Sequence, residues 1–148
     1  MSISQNNVPS IVDAVVEIDL VSNAFSSPIV LQGQITSVQV NGGEHKTNDL
    51  SALDGDTFTQ LGGRNPHDAV ITAIYTDGET SDLHPRLEAA QGQTVWMRYA
   101  PKGASIGNRR FTGSGRLYRV DLPSLNDNGS VLYSVGIRGR WAGEDIPA

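Results

Sequence analysis

The sequence contains no cysteine, which excludes disulfides, thiolate nucleophiles and cysteine-ligated zinc. It also lacks any apolar run close to the length of a membrane-spanning helix. The N-terminus has neither the basic nor the apolar region of a secretory signal, so we expect an intracellular, soluble protein without a membrane anchor. Its 148 residues suit one domain, and sixteen glycines with seven prolines are typical of strands joined by turns.

Positive charge is scarce in the first two thirds of the chain. Residues 1–95 contain three Lys/Arg against twelve Asp/Glu, whereas residues 96–148 contain eight against four. Such asymmetry indicates either contact with nucleic acid or opposed charged faces that dock onto copies of the same protein. Strands that interleave the two regions in space would instead cancel the polarity.

Catalytic and metal-binding patterns are weak. The three histidines stand apart in the sequence without the spacing of metal ligands, so we expect them at the surface. Residues 103–107 match Gly-x-Ser-x-Gly, but Pro101 ends the preceding strand before Ser105, and no histidine follows His84. These observations predict a protein that is not an enzyme and has no cofactor and no metal.

Alternation of apolar and polar residues predicts β-strands through most of the chain, although residues 11–20 also match a helical spacing. The apolar phase changes within residues 29–40 and again near residues 117–118, which indicates a bulge or a strand that leaves one sheet for another. The predicted strands cover residues 11–20, 29–40, 57–61, 69–75, 95–99 and 131–141, with one more beginning at Phe111.

One helix is predicted at residues 82–91, where Leu83, Leu87 and Ala90 share a face and Gly92 suits the position after the last turn. The fold class is therefore mainly β, a β-sandwich or partly open barrel with one short flanking α-helix. We expect a single domain over residues 1–148. Its predicted flexible arms are residues 1–10 and 142–148.

Residues 41–67 form the least regular internal segment, with scattered apolar residues among polar ones. A compact domain seldom contains a loop of more than about 15 residues without a function for it. We therefore expect a long extended loop or hairpin that reaches away from the core and includes the predicted strand at residues 57–61.

The last predicted strand has one apolar face and one face that carries Arg138 and Arg140. If it pairs with the strand before it, Arg116 or Arg119 lies near these residues, and adjacent like charges favour an anionic partner. That partner is either nucleic acid or the acidic surface of another copy. Nucleic-acid-binding sheets usually expose aromatic residues, whereas the aromatics of this strand share its apolar face, which favours self-assembly.

The order of short motifs in the middle of the chain carries a family resemblance. Residues 47–58 precede the strand at 69–75 and the turn Thr76-Asp77-Gly78, and the helix, residues 95–103 and residues 111–115 follow. This order, over about residues 30–139, resembles the major tail tube proteins of long-tailed, non-contractile phages and of related prophage or gene-transfer particles.

The resemblance implies a structural virion protein whose subunits form hexameric rings that stack into a tube. Its implied partners are copies of itself, other tail proteins such as the tape measure and the terminator, and double-stranded DNA only in transit. It implies a location in the virion tail after assembly in the host cytoplasm. It also implies that the loop at residues 41–67 reaches the next ring.

Two sets of contact residues follow from these interpretations. The hypothesised inter-ring or inter-subunit contacts are Glu44, Lys46, Asn48, Asp49, Leu50, Leu53, Asp54 and Phe58. The hypothesised charged sheet face is Arg116, Arg119, Arg138 and Arg140. The alternatives are another tube or terminator component on the same fold, or a nucleic-acid-binding β-barrel that uses the arginine cluster.

Overall fold

A computed structural model describes residues 13–31, 33–76 and 82–148. The arm predicted at residues 1–10 and most of the turn at residues 76–78 lie outside this part of the chain. No helix within it is long and apolar enough to cross a membrane. The elements are β1 (Val15–Asp19), β2 (Ile29–Val30), β3 (Ile35–Gly42), β4 (His45–Ser51), β5 (Thr57–Arg64), β6 (His67–Ile74), α1 (Leu83–Ala90), β7 (Thr94–Ala100), β8 (Arg109–Val120), β9 (Ser124–Leu125) and β10 (Val131–Asp145).

One antiparallel sheet forms most of the molecule. Its strands lie in the order β2-β1-β7-β8-β10-β6-β3, with β9 paired to β10, and the sheet curls into an open half-barrel. Strands β4 and β5 form a separate two-stranded sheet. The predicted fold class is therefore confirmed: the protein is mainly β, with a partly open barrel and one short helix.

The segment predicted as one strand at residues 29–40 is divided between the two edges of this sheet. β2 pairs with β1 at one edge, and β3 pairs with β6 at the other. Between them, the Leu31 N–H donates to the Val16 carbonyl at 2.8 Å, and the Leu31 side chain is buried. The change of apolar phase lies inside β3, after Ile35, where the register of β3 against β6 shifts between Ile35 and Ser37, as the predicted bulge requires.

The core lies inside the curl of the sheet, where α1 covers it. Leu117 and Ile137 from the central strands are fully buried, and the helix contributes its predicted apolar face. Gly92 follows the helix with a φ of 90°, in the left-handed region that favours glycine. The predicted helix at residues 82–91 is confirmed.

His84 is a buried residue of this core, so the prediction of a surface histidine was wrong at this position. Its Nε2 donates to the Asp121 carbonyl at 3.0 Å, and its ring lies edge-on to Tyr133 with 4.6 Å between centroids. On its other side, Nδ1 is 3.4 Å from the Glu88 carboxylate, and the Tyr75 ring also lies edge-on to the imidazole. The side chain is buried because α1 directs it inward.

β10 continues into the segment predicted as a C-terminal arm. Its last residues pair with β8 as far as Asp145 opposite Arg109. Arg110 and Glu144 add an ion pair at 2.7 Å across the same strands. Residues 142–145 are therefore strand, and only residues 146–148 follow it.

The Tyr133 hydroxyl provides a test of core electrostatics. It is buried and has no hydrogen-bond partner among the residues that the structure describes. Burial, with a smaller contribution from the charge of Asp82, raises the pKa of Tyr133 to about 12. An unfolded tyrosine titrates near pH 10, so the unfolded chain releases this proton first, and stability falls as the pH rises from about 10 towards 12.

We predict that Tyr133→Phe removes most of this alkaline loss and leaves stability at pH 7 unchanged or slightly higher, because no hydrogen bond is broken. Urea unfolding of both proteins at pH 7 and pH 11 measures the difference. Equal losses between the two pH values would show that Tyr133 does not titrate differently in the folded state.

Candidate assembly surfaces

Strands β4 and β5 form a hairpin whose residues are exposed along both strands. The segment predicted as a long extended loop or hairpin is therefore a β-hairpin, in which the predicted strand at residues 57–61 extends to Arg64. β4 escaped prediction because neither of its faces is buried, so its sequence has no apolar alternation.

The outer part of this hairpin, residues 47–61, is both apolar and acidic, and we call it the hairpin tip. Leu50 and Phe58 are directly opposite each other and are 45% and 57% exposed. Leu53, in the turn, is completely exposed. The tip contains Asp49, Asp54 and Asp56 and no lysine or arginine. Apolar side chains left in water beside carboxylates are typical of a surface that another molecule covers.

The remaining predicted contact residues are divided between the tip and the hairpin base. On the tip, Asn48 faces Gln60, and Asp49 accepts a hydrogen bond from Thr59 at 2.8 Å. Lys46 and Glu44 lie towards the base, outside the acidic tip.

Hydrogen bonds close the base of the hairpin, and Arg140 of β10 connects this base to the main sheet. The Asn65 backbone N–H donates to the Glu44 carbonyl at 2.8 Å, and the Asn65 side chain donates to the Glu44 carboxylate at 2.9 Å, which lowers the pKa of Glu44. Arg64 donates to the Gly43 carbonyl at 2.8 Å. Arg140 of β10 donates to the Arg64 and Asn65 carbonyls at 3.1 and 3.4 Å. These bonds fix the direction in which the hairpin leaves the sheet.

His67 completes the base. Its Nδ1 accepts the backbone N–H of Trp141 at 3.2 Å, and the two rings meet edge-on. Gly43 has a φ of 80°, and a Cβ atom there would overlap the His67 ring. The sequence showed His67 only as an isolated histidine, because its role depends on the pairing of β6 with β10.

The predicted charged sheet face is only partly continuous. Arg116 lies directly opposite Arg138, as expected. A one-residue register shift of β8 at Tyr118 brings the two arginines into these paired positions. Arg138 also lies over the Tyr118 ring, 5.1 Å from its centroid. Arg119 pairs with Asp121 at 3.4 Å.

Two further contacts reduce the positive character of this face. Arg138 is 3.9 Å from an Asp68 carboxylate oxygen, and Arg140 is engaged at the hairpin base. These partners disfavour the interpretation of the face as a dedicated nucleic-acid site.

A groove of about 390 Å³ opens beside Arg140, on β7, β8 and the end of β10. We call it the arginine groove. Arg98 lies over the Phe25 ring, 4.2 Å from its centroid, and contacts Glu17 at 3.3 Å. Its lining includes Phe25, Trp96, Arg98, Arg110, Thr112, Arg140 and Glu144.

Sequence reasoning did not assign Phe25, Trp96 or Arg98 to a site. Trp96 and Arg98 share one face of β7, which was a visible signal, but Phe25 comes from the loop after β1, so only the folded chain shows that it meets them.

Within residues 13–31, 33–76 and 82–148, no group of three or more potential metal-ligating side chains occurs. Ser105 is exposed in the connection between β7 and β8.

The fold is that of tube and tube-terminator components of phage-tail-like particles. A chain of the sheath–tube complex of PVC, an extracellular contractile injection system, in its extended state matches with a TM-score of 0.65 and 12% identity, over 98% of this chain and 100% of that chain. The tube-terminating cap of the anti-feeding prophage matches with a TM-score of 0.67 and 13% identity, over 98% and 96%. The PVC sheath/tube terminator in its extended state matches with a TM-score of 0.64 and 11% identity, over 95% and 99%.

No family model and no curated protein matches the sequence. The structural likeness is to contractile systems, whereas the sequence motifs resemble proteins of non-contractile phages. What the two have in common is the tail-tube type of fold.

Proposed function

We propose that this protein is a structural subunit that assembles with copies of itself into the tube of a phage-tail-like particle. The observation that carries the proposal is the exposed hairpin, whose apolar and acidic tip stands clear of the protein's own core. An isolated monomer gains nothing from four exposed large apolar side chains on one hairpin, Leu50, Leu53, Phe58 and Leu61, whereas a second copy buries them.

The main sheet supports the same proposal. It is an open half-barrel with the eight-residue strand β3 at one edge. An exposed strand edge offers backbone N–H and C=O groups to another chain, and copies arranged in a ring would use these edges. Repetition of a head-to-tail contact along the axis then produces a filament.

The finer proposal is a tail tube built from stacked hexameric rings, through which double-stranded DNA passes in transit. It includes tape-measure and terminator proteins as partners, a virion-tail location and assembly in the host cytoplasm. The sequence resemblance supports these details. The likeness to tube and terminator components also supports a structural rather than an enzymatic role.

Light scattering of the purified protein at rising concentration tests this proposal. We expect large particles to form cooperatively above a threshold concentration, because each ring contact is repeated around and along the tube. A single monomeric species at the highest soluble concentration, with a crowding agent present, would contradict it.

A tube terminator is the second candidate, because two of the structural neighbours are terminators. A terminator forms one ring that does not elongate. Particles of one fixed size that do not grow with concentration would favour it over the tube subunit.

A further inference from the structure

The hairpin and the arginine groove lie at the same end of the main sheet. The hairpin connects the end of β3 to His67, the first residue of β6, which pairs with Gly139. The groove takes its β10 side chains from Arg140 and Glu144, just beyond Gly139. The hairpin leaves from the β3–β6 edge, whereas the groove lies towards β7. Two copies side by side in the same orientation therefore bring the hairpin of one next to the groove of the other.

The charges of the two surfaces are complementary. The hairpin tip contains three aspartates and no cation. Arg98, Arg110 and Arg140 line the groove. Arg98 pairs with Glu17 and Arg110 with Glu144, whereas Arg140 donates to backbone carbonyls and keeps its positive charge without a carboxylate partner among the described residues. Opposite charges on two surfaces select one partner orientation and suppress others.

The apolar character of the two surfaces also agrees. The tip presents Leu50, Leu53 and Phe58 to solvent, and the groove presents the partly exposed rings of Phe25 and Trp96. Apolar and aromatic contact inside a ring of charged pairs is the usual composition of a specific interface.

We propose that the arginine groove of one copy receives the hairpin tip of its lateral neighbour. This inference rests on the proposed function and names the surface that completes the side-by-side contact. Arg140 lines the groove and also holds the base of its own hairpin. A neighbour that binds in the groove therefore contacts the same residue that holds the hairpin, and this hairpin in turn binds the next neighbour.

Thiol crosslinking tests the contact directly, because the native chain contains no cysteine. Ser51→Cys places a thiol on the exposed hairpin, and Thr112→Cys places one in the groove. With a short bismaleimide under assembling conditions, we expect this double variant to form a ladder of covalent multimers. The matched control joins Ser51→Cys to Ser130→Cys, in the turn before β10 at the other end of the sheet, and should stay largely uncrosslinked. Each single-cysteine variant shows how much crosslinking occurs without the proposed pair of thiols.

A charge variant adds a second measurement. Asp54→Asn with Asp56→Asn removes two charges, and asparagine can still accept the turn hydrogen bond that Asp54 accepts from the Asp56 backbone. We expect crosslinking to Thr112→Cys to fall roughly threefold to tenfold at low salt, because the tip loses two of the negative charges that the groove attracts. Added salt should produce a similar fall in the parent double variant.

The outcomes separate this inference from the proposed function. Assembly with crosslinking at Ser130→Cys, or without crosslinking at Thr112→Cys, overturns the groove contact and leaves the tube subunit standing. A protein that does not assemble at all overturns both.

Discussion

Replacement of residues 45–64 by Asn-Gly is expected to give a folded protein that no longer forms tubes. No residue of β4 or β5 is buried, so the core loses nothing. The Asn65 N–H already donates to the Glu44 carbonyl at 2.8 Å, and a two-residue turn can therefore close the gap between these residues. The free energy of unfolding should change by less than about 1 kcal/mol.

Assembly should be abolished, because the variant lacks every apolar and acidic group of the hairpin tip. Thermal unfolding and electron microscopy of the same sample measure the two effects separately. A full-length control with Leu50→Ser, Leu53→Ser, Phe58→Ser and Leu61→Ser keeps the hairpin backbone and removes its exposed large apolar side chains. Normal tubes from the shortened protein would show that the hairpin has no part in assembly.

Gly139→Ala should destabilise the fold more than any surface change. Gly139 lies opposite Gly115 on the two central strands, β10 and β8. A Cβ atom at position 139 would overlap the Ser114 carbonyl oxygen and lie 2.5 Å from the Gly115 Cα. These are backbone atoms of a paired strand, so the two strands must separate to make room. We expect a loss of roughly 3 kcal/mol.

Gly63→Ala is the matched control, because nothing lies within 4 Å of the added atom and its φ is not positive. Urea unfolding of the two variants compares them with the parent protein. Similar stabilities for Gly139→Ala and Gly63→Ala would show that β8 and β10 are not as closely paired as the structure indicates.

The parts of the fold that the sequence predicted are those with one buried face. The residues of β10 alternate because Tyr133, Val135 and Ile137 enter the core, and α1 shows its stripe for the same reason. β4 has no buried face and therefore no pattern. The separation of β2 from β3 could not be predicted, because short-range periodicity does not determine which sheet edge a strand joins.

The candidate surfaces were also only partly predictable from the sequence. The proximity of Arg116 to Arg138 followed from a recognisable turn between two strands. The arginine groove did not, because it joins Phe25 to residues more than seventy positions away in the sequence. The role of Arg140 at the hairpin base depends on backbone carbonyls, which no side-chain pattern reveals.

Negative-stain electron microscopy of the purified protein, taken above and below the scattering threshold, shows whether the protein assembles into a tube by itself. We expect rings seen end-on and tubes with a regular axial repeat seen from the side, both absent from the hairpin-shortened variant. Monodisperse single subunits at every concentration, under conditions in which the protein is folded, would contradict this expectation.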